Sequence, residues 1–113
     1  MEKNLEERIE YSARLMYKHP DRVPIIIEKN EKIAIKIENY KYLLPKKINI
    51  SEFMRIMRTK MNIAETQAIF TFVKSGDNYI LVPMNETIES IYNLYKSKDN
   101  FLYIKFGIEN TFG

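Results

Sequence analysis

Three consecutive isoleucines, Ile25 to Ile27, lie within the segment VPIIIEK at residues 23–29. β-Branched side chains restrict the χ1 angle and favour extended backbone, so a run of this length predicts a strand that is buried on both faces. The chain has 113 residues, which corresponds to one small domain. The rest of this domain therefore has to be arranged around a buried strand.

The composition excludes several functional classes. The chain has no cysteine, which removes disulfides, thiolate metal sites and a cysteine nucleophile, and its single histidine, His19, provides neither a His-rich metal site nor a spare triad partner. No apolar run approaches the roughly 18 residues that a membrane span needs. The charged N-terminus MEKNLEER also lacks the apolar core of a signal peptide. We expect a cytoplasmic domain without metal or cofactor.

Basic residues are concentrated in the middle third of the chain. Residues 29–60 contain nine Lys or Arg against three Asp or Glu, whereas the preceding segment has five against six and the following one four against six. This local charge of +6 predicts a basic face that meets an acidic partner. Nucleic acid, anionic lipid and an acidic peptide all remain possible, and so does an ordinary solvated surface.

An amphipathic helix is predicted before the isoleucine strand, since apolar residues recur there at helical spacing until Pro20 ends the pattern. Its apolar stripe comprises Leu5, Ile9, Ala13 and Met16. After the strand, Ile33, Ile35 and Ile37 alternate with other residues, Tyr40, Tyr42 and Leu44 continue this alternation, and Pro45 closes the stretch. A proline at that point favours an edge strand.

The second half of the chain predicts two helices and three short strands. Asn49 is expected to cap the first helix, with Glu52 reaching back to it, and either Asn85 or Thr87 is expected to cap the second. A small hairpin is predicted around the turn SGDN. The three strands are predicted at 68–73, 79–82 and 101–106.

The order of these elements suits an α+β fold in which a helix packs on one face of a sheet. A ubiquitin-like β-grasp is the most economical such fold, with the first helix as an addition on the outside. The predicted parts are an N-terminal helical extension at 1–22, a β-grasp domain at 23–106 and a flexible C-terminal tail at 107–113.

Three stretches resemble the autophagy ubiquitin-like modifiers, the GABARAP and light-chain-three family. They are KHPDRVPIIIEK, YKYLLPKKINISEFMRIMRTKM and DNFLYIKFGIENTFG, at 18–29, 40–61 and 99–113. The similarity extends in order over nearly the whole chain. It implies a β-grasp domain carrying N-terminal helices, although only about one helix fits here, and a protein that is not an enzyme.

The resemblance also implies what the C-terminus does. Members of this family are trimmed to a C-terminal glycine, activated, and joined through it to phosphatidylethanolamine on autophagosomal or related membranes. Gly113 would be that glycine, since a residue without a side chain can thread a narrow enzyme channel. Thr111 and Phe112 would be the tail residues that the enzymes contact. The implied partners are the activating and conjugating enzymes, a processing or delipidating cysteine protease, and the lipid membrane.

Members of the family also bind receptors through short motifs with an aromatic residue, two variable positions and an aliphatic residue. Such a motif adds as a strand beside the edge strand, here 41–44, and two pockets take its two anchors. By position, the aromatic pocket would comprise Leu15, Pro24, Ile26, Lys41, Leu43 and Phe101. The aliphatic pocket would comprise Tyr42, Leu44, Pro45, Ile48, Phe53 and Ile56. The basic residues that meet the acids of the motif would be Arg22, Lys41 and Lys60.

One departure from the family and three alternatives accompany this interpretation. Tyr11 stands where relatives often carry a charged residue, which predicts a more apolar pocket wall. A β-grasp binding module in vesicle trafficking or cytoskeletal attachment that is never conjugated remains the alternative function. Binding of nucleic acid is disfavoured because the basic segment lacks interleaved aromatic residues. An enzyme is disfavoured because Glu6, Glu7 and Glu10 form one helix face rather than an acid–base pair.

Overall fold

The computed structural model describes residues 3–28, residue 30 and residues 40–110. The predicted alternation over 33–39 and the tail residues 111–113 lie outside these ranges. The helices are α1 (Leu5–Lys18), α2 (Ile50–Lys60) and α3 (Ile88–Tyr95). The strands are β1 (Arg22–Glu28), β2 (Lys41–Pro45), β3 (Gln67–Ser75), β4 (Asn78–Leu81) and β5 (Leu102–Asn110).

The five strands form one sheet in the order β2-β1-β5-β3-β4. Strands β1 and β5 are parallel, and the other neighbouring pairs are antiparallel. Helices α2 and α3 pack their buried residues against one face of this sheet, while α1 lies against β1 on the other face. This arrangement confirms the predicted α+β class and the ubiquitin-like β-grasp with an N-terminal helix.

The isoleucine run occupies β1, between β2 and β5. Ile25 and Ile27 are fully buried in the core beneath α2 and α3, whereas Ile26 points to the other face and is half-buried. Burial is therefore complete on the first face and incomplete on the second, because α1 covers only part of that face.

Helix α1 packs differently from the predicted apolar stripe. Leu5 is 41% exposed and Ala13 is also exposed, while the one buried residue of the helix is Ser12. The reason lies in what the helix covers: the Ser12 hydroxyl donates to the backbone oxygen of Asp99 at 2.7 Å. Ile9 and Met16 are half-buried, and Met16 packs against the core, so the predicted stripe is borne out at these two residues. At Ser12 a polar contact takes its place.

The N-termini of α2 and α3 lie side by side. The side chain of Asn49 accepts a hydrogen bond from the backbone N–H of Glu52, and that of Thr87 accepts one from Ser90. Thr87 rather than Asn85 is therefore the cap of α3. The two caps also form an isolated antiparallel bridge, which joins the two helix starts to each other.

The predicted hairpin is present, and it uses Gly76 at a φ of +62°, a conformation that glycine adopts without strain. The last strand is longer than predicted, because β5 pairs with β3 as far as the rung Gln67↔Asn110. The predicted tail of 107–113 is therefore wrong at its first four residues. Ile108 explains the difference, since it packs partly buried against the core.

Matched substitutions in the isoleucine run can distinguish how much each face of β1 contributes to the stability of the fold. Ile27→Ala leaves a cavity in the core and should lower the free energy of unfolding by about 2–5 kcal/mol. Ile26→Ala removes the same atoms from a half-exposed position and should cost only about 1 kcal/mol. Urea denaturation of both variants measures the difference, and equal losses would contradict this division of the strand.

Candidate functional site

Strand β2 has a neighbour on only one side among the described strands. The backbone N–H of Ile27 donates to the oxygen of Tyr40 at 2.7 Å, which fixes the alternation of the antiparallel ladder. Residues 40, 42 and 44 therefore direct their backbone groups towards β1, and Lys41 and Leu43 direct theirs towards the open edge. The edge thus offers the two N–H groups that an added strand needs.

Arg22 covers part of this edge. Its guanidinium Nη1 donates to the backbone oxygen of Leu43 at 3.0 Å, and its side chain is half-buried. Lys41 is exposed at the start of the strand, and Lys60 is exposed in the last turn of α2. Of the three basic residues expected to meet acids, Arg22 therefore already has a backbone partner.

A cavity of about 390 Å³ lies between α1 and the sheet. Its lining residues are Lys3, Arg8, Tyr11, Ile26, Lys41, Phe101 and Tyr103. Three of the residues predicted for the aromatic pocket therefore line this cavity, although Phe101 is 2% exposed and forms only its floor.

The other three residues of the predicted aromatic pocket lie beside the cavity rather than in its lining. Pro24 and Leu43 form the next rung of the β1–β2 ladder on the same face. Leu15 lies one turn further along α1 than Tyr11, and it is half-buried. The predicted set is thus spread along one face, with its members at different depths.

Tyr11 forms the wall that the sequence predicted to be more apolar. Its ring packs against Phe101 with a centroid separation of 6.1 Å. The ammonium groups of Lys3 and Lys41 lie 3.7 and 4.9 Å from the centre of the same ring. Such distances allow cation–π attraction, so the wall is aromatic and positively charged.

A buried carboxylate holds α1 against the start of β5. Asp99 is 2% exposed, and its Oδ2 accepts hydrogen bonds from Arg8 Nε at 3.0 Å and from the hydroxyl of Tyr103. Its Oδ1 accepts one from the backbone N–H of Phe101 at 3.0 Å. These contacts satisfy the carboxylate, and the bond from the Ser12 hydroxyl to the backbone oxygen of Asp99 adds a further link that holds the helix in position.

The same network affects the tyrosines around it. Burial raises the pKa of the Tyr103 hydroxyl, and its hydrogen bond to Asp99 raises it further. Burial also raises the pKa of Tyr92, with a contribution from the charge of Asp99. Tyr103 therefore stays neutral and keeps donating to the carboxylate at physiological pH.

None of the three residues of this network, Arg8, Asp99 and Tyr103, was assigned to a site from the sequence. One local signal was present, because an aspartate two residues before Phe101 can accept from that residue's N–H in an Asx turn. The contact with Arg8 joins residues 91 positions apart, and no local pattern indicates it.

The residues predicted for the aliphatic pocket come from β2, the segment that follows it and α2, and they lie at different depths. Phe53 is fully buried and Leu44 is 7% exposed, so both belong to the core. Phe53 packs against Phe106 with a centroid separation of 5.7 Å. The members with accessible surface are Tyr42, Pro45, Ile48 and Ile56. Phe53 and Leu44 can therefore only support this surface from behind.

Two kinds of site are not found in the part of the chain that the structure describes. None of its helices has the length and apolarity required to cross a membrane. It also contains no cluster of three or more histidine, aspartate or glutamate side chains that could hold a metal ion.

Strand order, parallel β1–β5 pairing and the packed N-terminal helix define a ubiquitin-like β-grasp protein. A family model described as "Autophagy protein Atg8 ubiquitin like" matches residues 7–113. The chain belongs to this family, which confirms the resemblance seen in the sequence.

Individual relatives agree with this assignment. The chain is 39% identical to autophagy-related protein 8e of Arabidopsis thaliana over 114 residues, covering 100% of this chain and 90% of the relative. It is 38% identical to autophagy-related protein 8 of Schizosaccharomyces pombe over 111 residues, covering 97% and 88%.

Solved structures show the same fold. The crystal structure of Trypanosoma brucei ATG8 superposes with a TM-score of 0.83 at 32% identity, covering 100% of this chain and 95% of that one. Plasmodium falciparum Atg8, solved in complex with a peptide of Plasmodium falciparum Atg3, superposes with a TM-score of 0.79 at 23% identity, covering 93% and 90%. The second likeness concerns the fold alone.

Proposed function

We propose that this protein is a ubiquitin-like modifier that is joined through Gly113 to phosphatidylethanolamine. In that form it acts on autophagosomal or related membranes as an adaptor for receptors with aromatic-x-x-aliphatic motifs. The observation that carries the proposal is membership of the Atg8 family, whose match extends to residue 113. The protein is cytoplasmic before conjugation, and it is itself a substrate rather than an enzyme.

Conjugation requires an activated carboxylate. The Gly113 carboxylate attacks the α-phosphate of ATP, which forms an acyl adenylate and releases pyrophosphate. A cysteine thiolate of the activating enzyme then displaces AMP, and the resulting thioester passes to a cysteine of the conjugating enzyme. The lipid amine attacks the thioester carbonyl, the amide forms and the thiolate leaves. This chain has no cysteine, so every thiolate in these reaction steps belongs to a partner enzyme. The same holds for the cysteine protease that processes or delipidates the protein.

The position of β5 limits how the enzymes reach the glycine. Pairing with β3 continues to Asn110, so only three residues separate the sheet from Gly113. An extended chain spans at most about 3.3–3.6 Å per residue, which gives a reach of roughly 10 Å. The enzymes that contact Thr111 and Phe112 must therefore approach this end of the sheet closely or open the last rungs of β5.

Lipidation in a reconstituted system tests the conjugation. Incubation with activating enzyme, conjugating enzyme, ATP and phosphatidylethanolamine liposomes should give a product with the lipid mass on Gly113. Gly113→Ala should slow its formation about tenfold or more, since a methyl group crowds the thioester carbonyl. Asp77→Ala is the control, because Asp77 is exposed in the β3–β4 turn. Failure of competent enzymes to form any adduct would overturn the proposal.

Three features of the β2 side support the adaptor role. The N–H groups of Lys41 and Leu43 face an open edge, a cavity suited to an aromatic side chain adjoins that edge, and Ile56 offers exposed apolar surface beyond it. Exposed ion pairs contribute only about 0–1 kcal/mol each. Lys41, Lys60 and Arg22 should therefore set the association rate and selectivity, while the two anchors supply most of the affinity.

A leucine substitution on this edge tests the adaptor role. Leu43→Ala should weaken binding of an aromatic-x-x-aliphatic peptide about tenfold or more while the protein stays folded. The control is Leu94→Ala, since Leu94 is 70% exposed on α3 and belongs to neither predicted pocket. Fluorescence anisotropy with a labelled peptide measures both affinities. A peptide of a conjugating enzyme is a suitable first probe, given the complex solved for the Plasmodium protein. Unchanged affinity in Leu43→Ala would show that the pocket is wrongly assigned.

A β-grasp module that is never conjugated remains the alternative function. It would use the same β2 edge in vesicle trafficking or cytoskeletal attachment. Replacement of Gly113 would then leave the cellular distribution of the protein unchanged, whereas the conjugated modifier should lose its membrane-bound fraction.

A further inference from the structure

The aromatic wall of the cavity between α1 and the sheet belongs to a closed circuit of contacts. The Tyr11 ring packs against Phe101, and its centre lies 3.7 Å from the ammonium group of Lys3. The backbone oxygen of Lys3 accepts a hydrogen bond from Arg8 Nη1 at 2.6 Å. The circuit closes at Asp99, whose two carboxylate oxygens accept from Arg8 Nε and from the Phe101 N–H, each at 3.0 Å. One buried carboxylate thereby fixes both the floor of the cavity and the cation over its wall.

Arg8 can hold two partners at once because its guanidinium is a rigid fork. Nε and Nη1 donate in fixed directions, one to the carboxylate of Asp99 and the other to the carbonyl of Lys3. A lysine at this position would carry a single ammonium group on a flexible stem. It could keep the ion pair with Asp99, but it would not hold the Lys3 carbonyl in the same geometry. The fork, rather than the charge alone, therefore connects the buried carboxylate with Lys3.

The ammonium group of Lys3 is available to a ligand. Lys3 is exposed and lines the cavity together with Tyr11 and Lys41. Among residues 3–28, 30 and 40–110, no carboxylate forms an ion pair with Lys3. Its Nζ lies nearer to the centre of the Tyr11 ring than that of Lys41, which is 4.9 Å away. A second aromatic ring that enters the cavity therefore meets an ammonium group that is already in place.

We propose that Lys3 recognises the aromatic anchor of a bound peptide through a cation–π contact, and that Arg8 is the positioning residue that holds Lys3 in place. The ligand class is a peptide whose anchor is an electron-rich aromatic ring. This inference rests on the proposed adaptor function, since it states what the cavity selects in the anchor.

A cation–π contact suits the chemistry of this cavity. Its described lining residues offer cations and aromatic rings but no carboxylate or amide side chain. An ammonium group within about 6 Å of a ring centroid is attracted by the quadrupole of the ring, most strongly for tryptophan. Burial of apolar surface alone would favour any large side chain, including aliphatic ones. The ammonium group adds a preference for the electron density of the ring, which an aliphatic side chain does not have.

Peptides with a fluorinated anchor test this contact. They are identical aromatic-x-x-leucine sequences except that the anchor is phenylalanine, 3,5-difluorophenylalanine or pentafluorophenylalanine. Fluorine withdraws electron density from the negative face of the ring and makes the side chain more apolar, so cation–π attraction and apolar burial change in opposite directions. Fluorescence anisotropy should show that affinity falls stepwise, by about three- to tenfold from phenylalanine to pentafluorophenylalanine.

Two variants should abolish this trend. Lys3→Met removes the charge from an exposed side chain, and Arg8→Lys keeps the charge beside Asp99 but removes the fork. In both, affinity should no longer fall with fluorination. The double variant Lys3→Met/Arg8→Lys should behave like Lys3→Met alone, because Arg8 acts through Lys3. Lys105→Met is the matched control and should keep the full trend. Lys105 also lies over a tyrosine ring, 4.4 Å from the centre of Tyr79, but it is not among the lining residues of the cavity.

The position of Lys3 can be tested without any peptide. Methylene protons next to an ammonium group that lies over an aromatic ring are shielded by the ring current. The Hε protons of Lys3 should therefore resonate upfield of those of Lys98, which is exposed. Arg8→Lys should remove most of this shift in the NMR spectrum. An undiminished shift in Arg8→Lys would overturn the positioning role.

Ser12→Ala distinguishes positioning of Lys3 from simple attachment of α1. It removes the hydrogen bond to the backbone oxygen of Asp99 but leaves the fork of Arg8 intact. This variant should be less stable, yet it should keep the upfield shift of Lys3 and the fluorination trend. If Ser12→Ala loses both as Arg8→Lys does, Arg8 serves only to attach the helix, and its positioning role is overturned.

The failures of the two proposals are distinguishable. Affinity that is constant or rises with fluorination in the unaltered protein would overturn the cation–π contact and leave the adaptor function standing. A trend that survives Lys3→Met but disappears in Lys41→Met would assign the contact to Lys41 and overturn the role of Lys3. If no peptide of the series binds, the adaptor function fails and the cation–π contact fails with it.

Discussion

The alternation of side chains along β1 is the constraint on which the rest of the structure depends. Ile25 and Ile27 point into an apolar core and have no exposed surface, so that face has to be covered by α2 and α3. Pro24 and Ile26 point to the opposite face, which α1 covers only in part. One strand thereby separates the core face from the face that carries the proposed binding site, where Pro24 is buried and Ile26 is half-buried.

Polar contacts hold helix α1 over the face that carries the proposed binding site. The buried carboxylate of Asp99 collects hydrogen bonds from α1 and from the start of β5. Removing one partner from such a network leaves a buried charge uncompensated, which typically costs several kcal/mol. A helix attached in this way does not need to fill the space beneath it with apolar side chains. The cavity beside Ile26 adjoins the attachment point, since Arg8 and Tyr103 line it.

Local patterns in the sequence were enough to predict most of the helices and strands. β-Branched residues indicated β1, helical spacing indicated α2 and α3, and Pro45 indicated an edge strand. These patterns depend on residues close in sequence. The length of β5 could not be predicted in this way, because Gly107 and Glu109 become strand residues only through pairing with β3.

The candidate site could be predicted only in part, because some of its contacts join residues that are far apart in the sequence. Resemblance to the family indicated Ile26, Lys41 and Phe101, which do line the cavity between α1 and the sheet. The apolar stripe predicted for α1 did not include Ser12, the buried residue of that helix. An apolar pattern does not reveal a buried hydroxyl that is paired with a distant backbone oxygen. The contact between Arg8 and Asp99 was missed because its two residues lie 91 positions apart.

The central claim is that β2 accepts a peptide as an additional strand. Hydrogen exchange of individual backbone amides tests it most directly, with and without a saturating aromatic-x-x-aliphatic peptide. The account predicts that the exchange of Lys41 and Leu43, whose N–H groups face the open edge, slows strongly on binding. The exchange of Tyr42, which is directed towards β1, should change much less. Saturation by the peptide without any slowing at Lys41 and Leu43 would contradict the account.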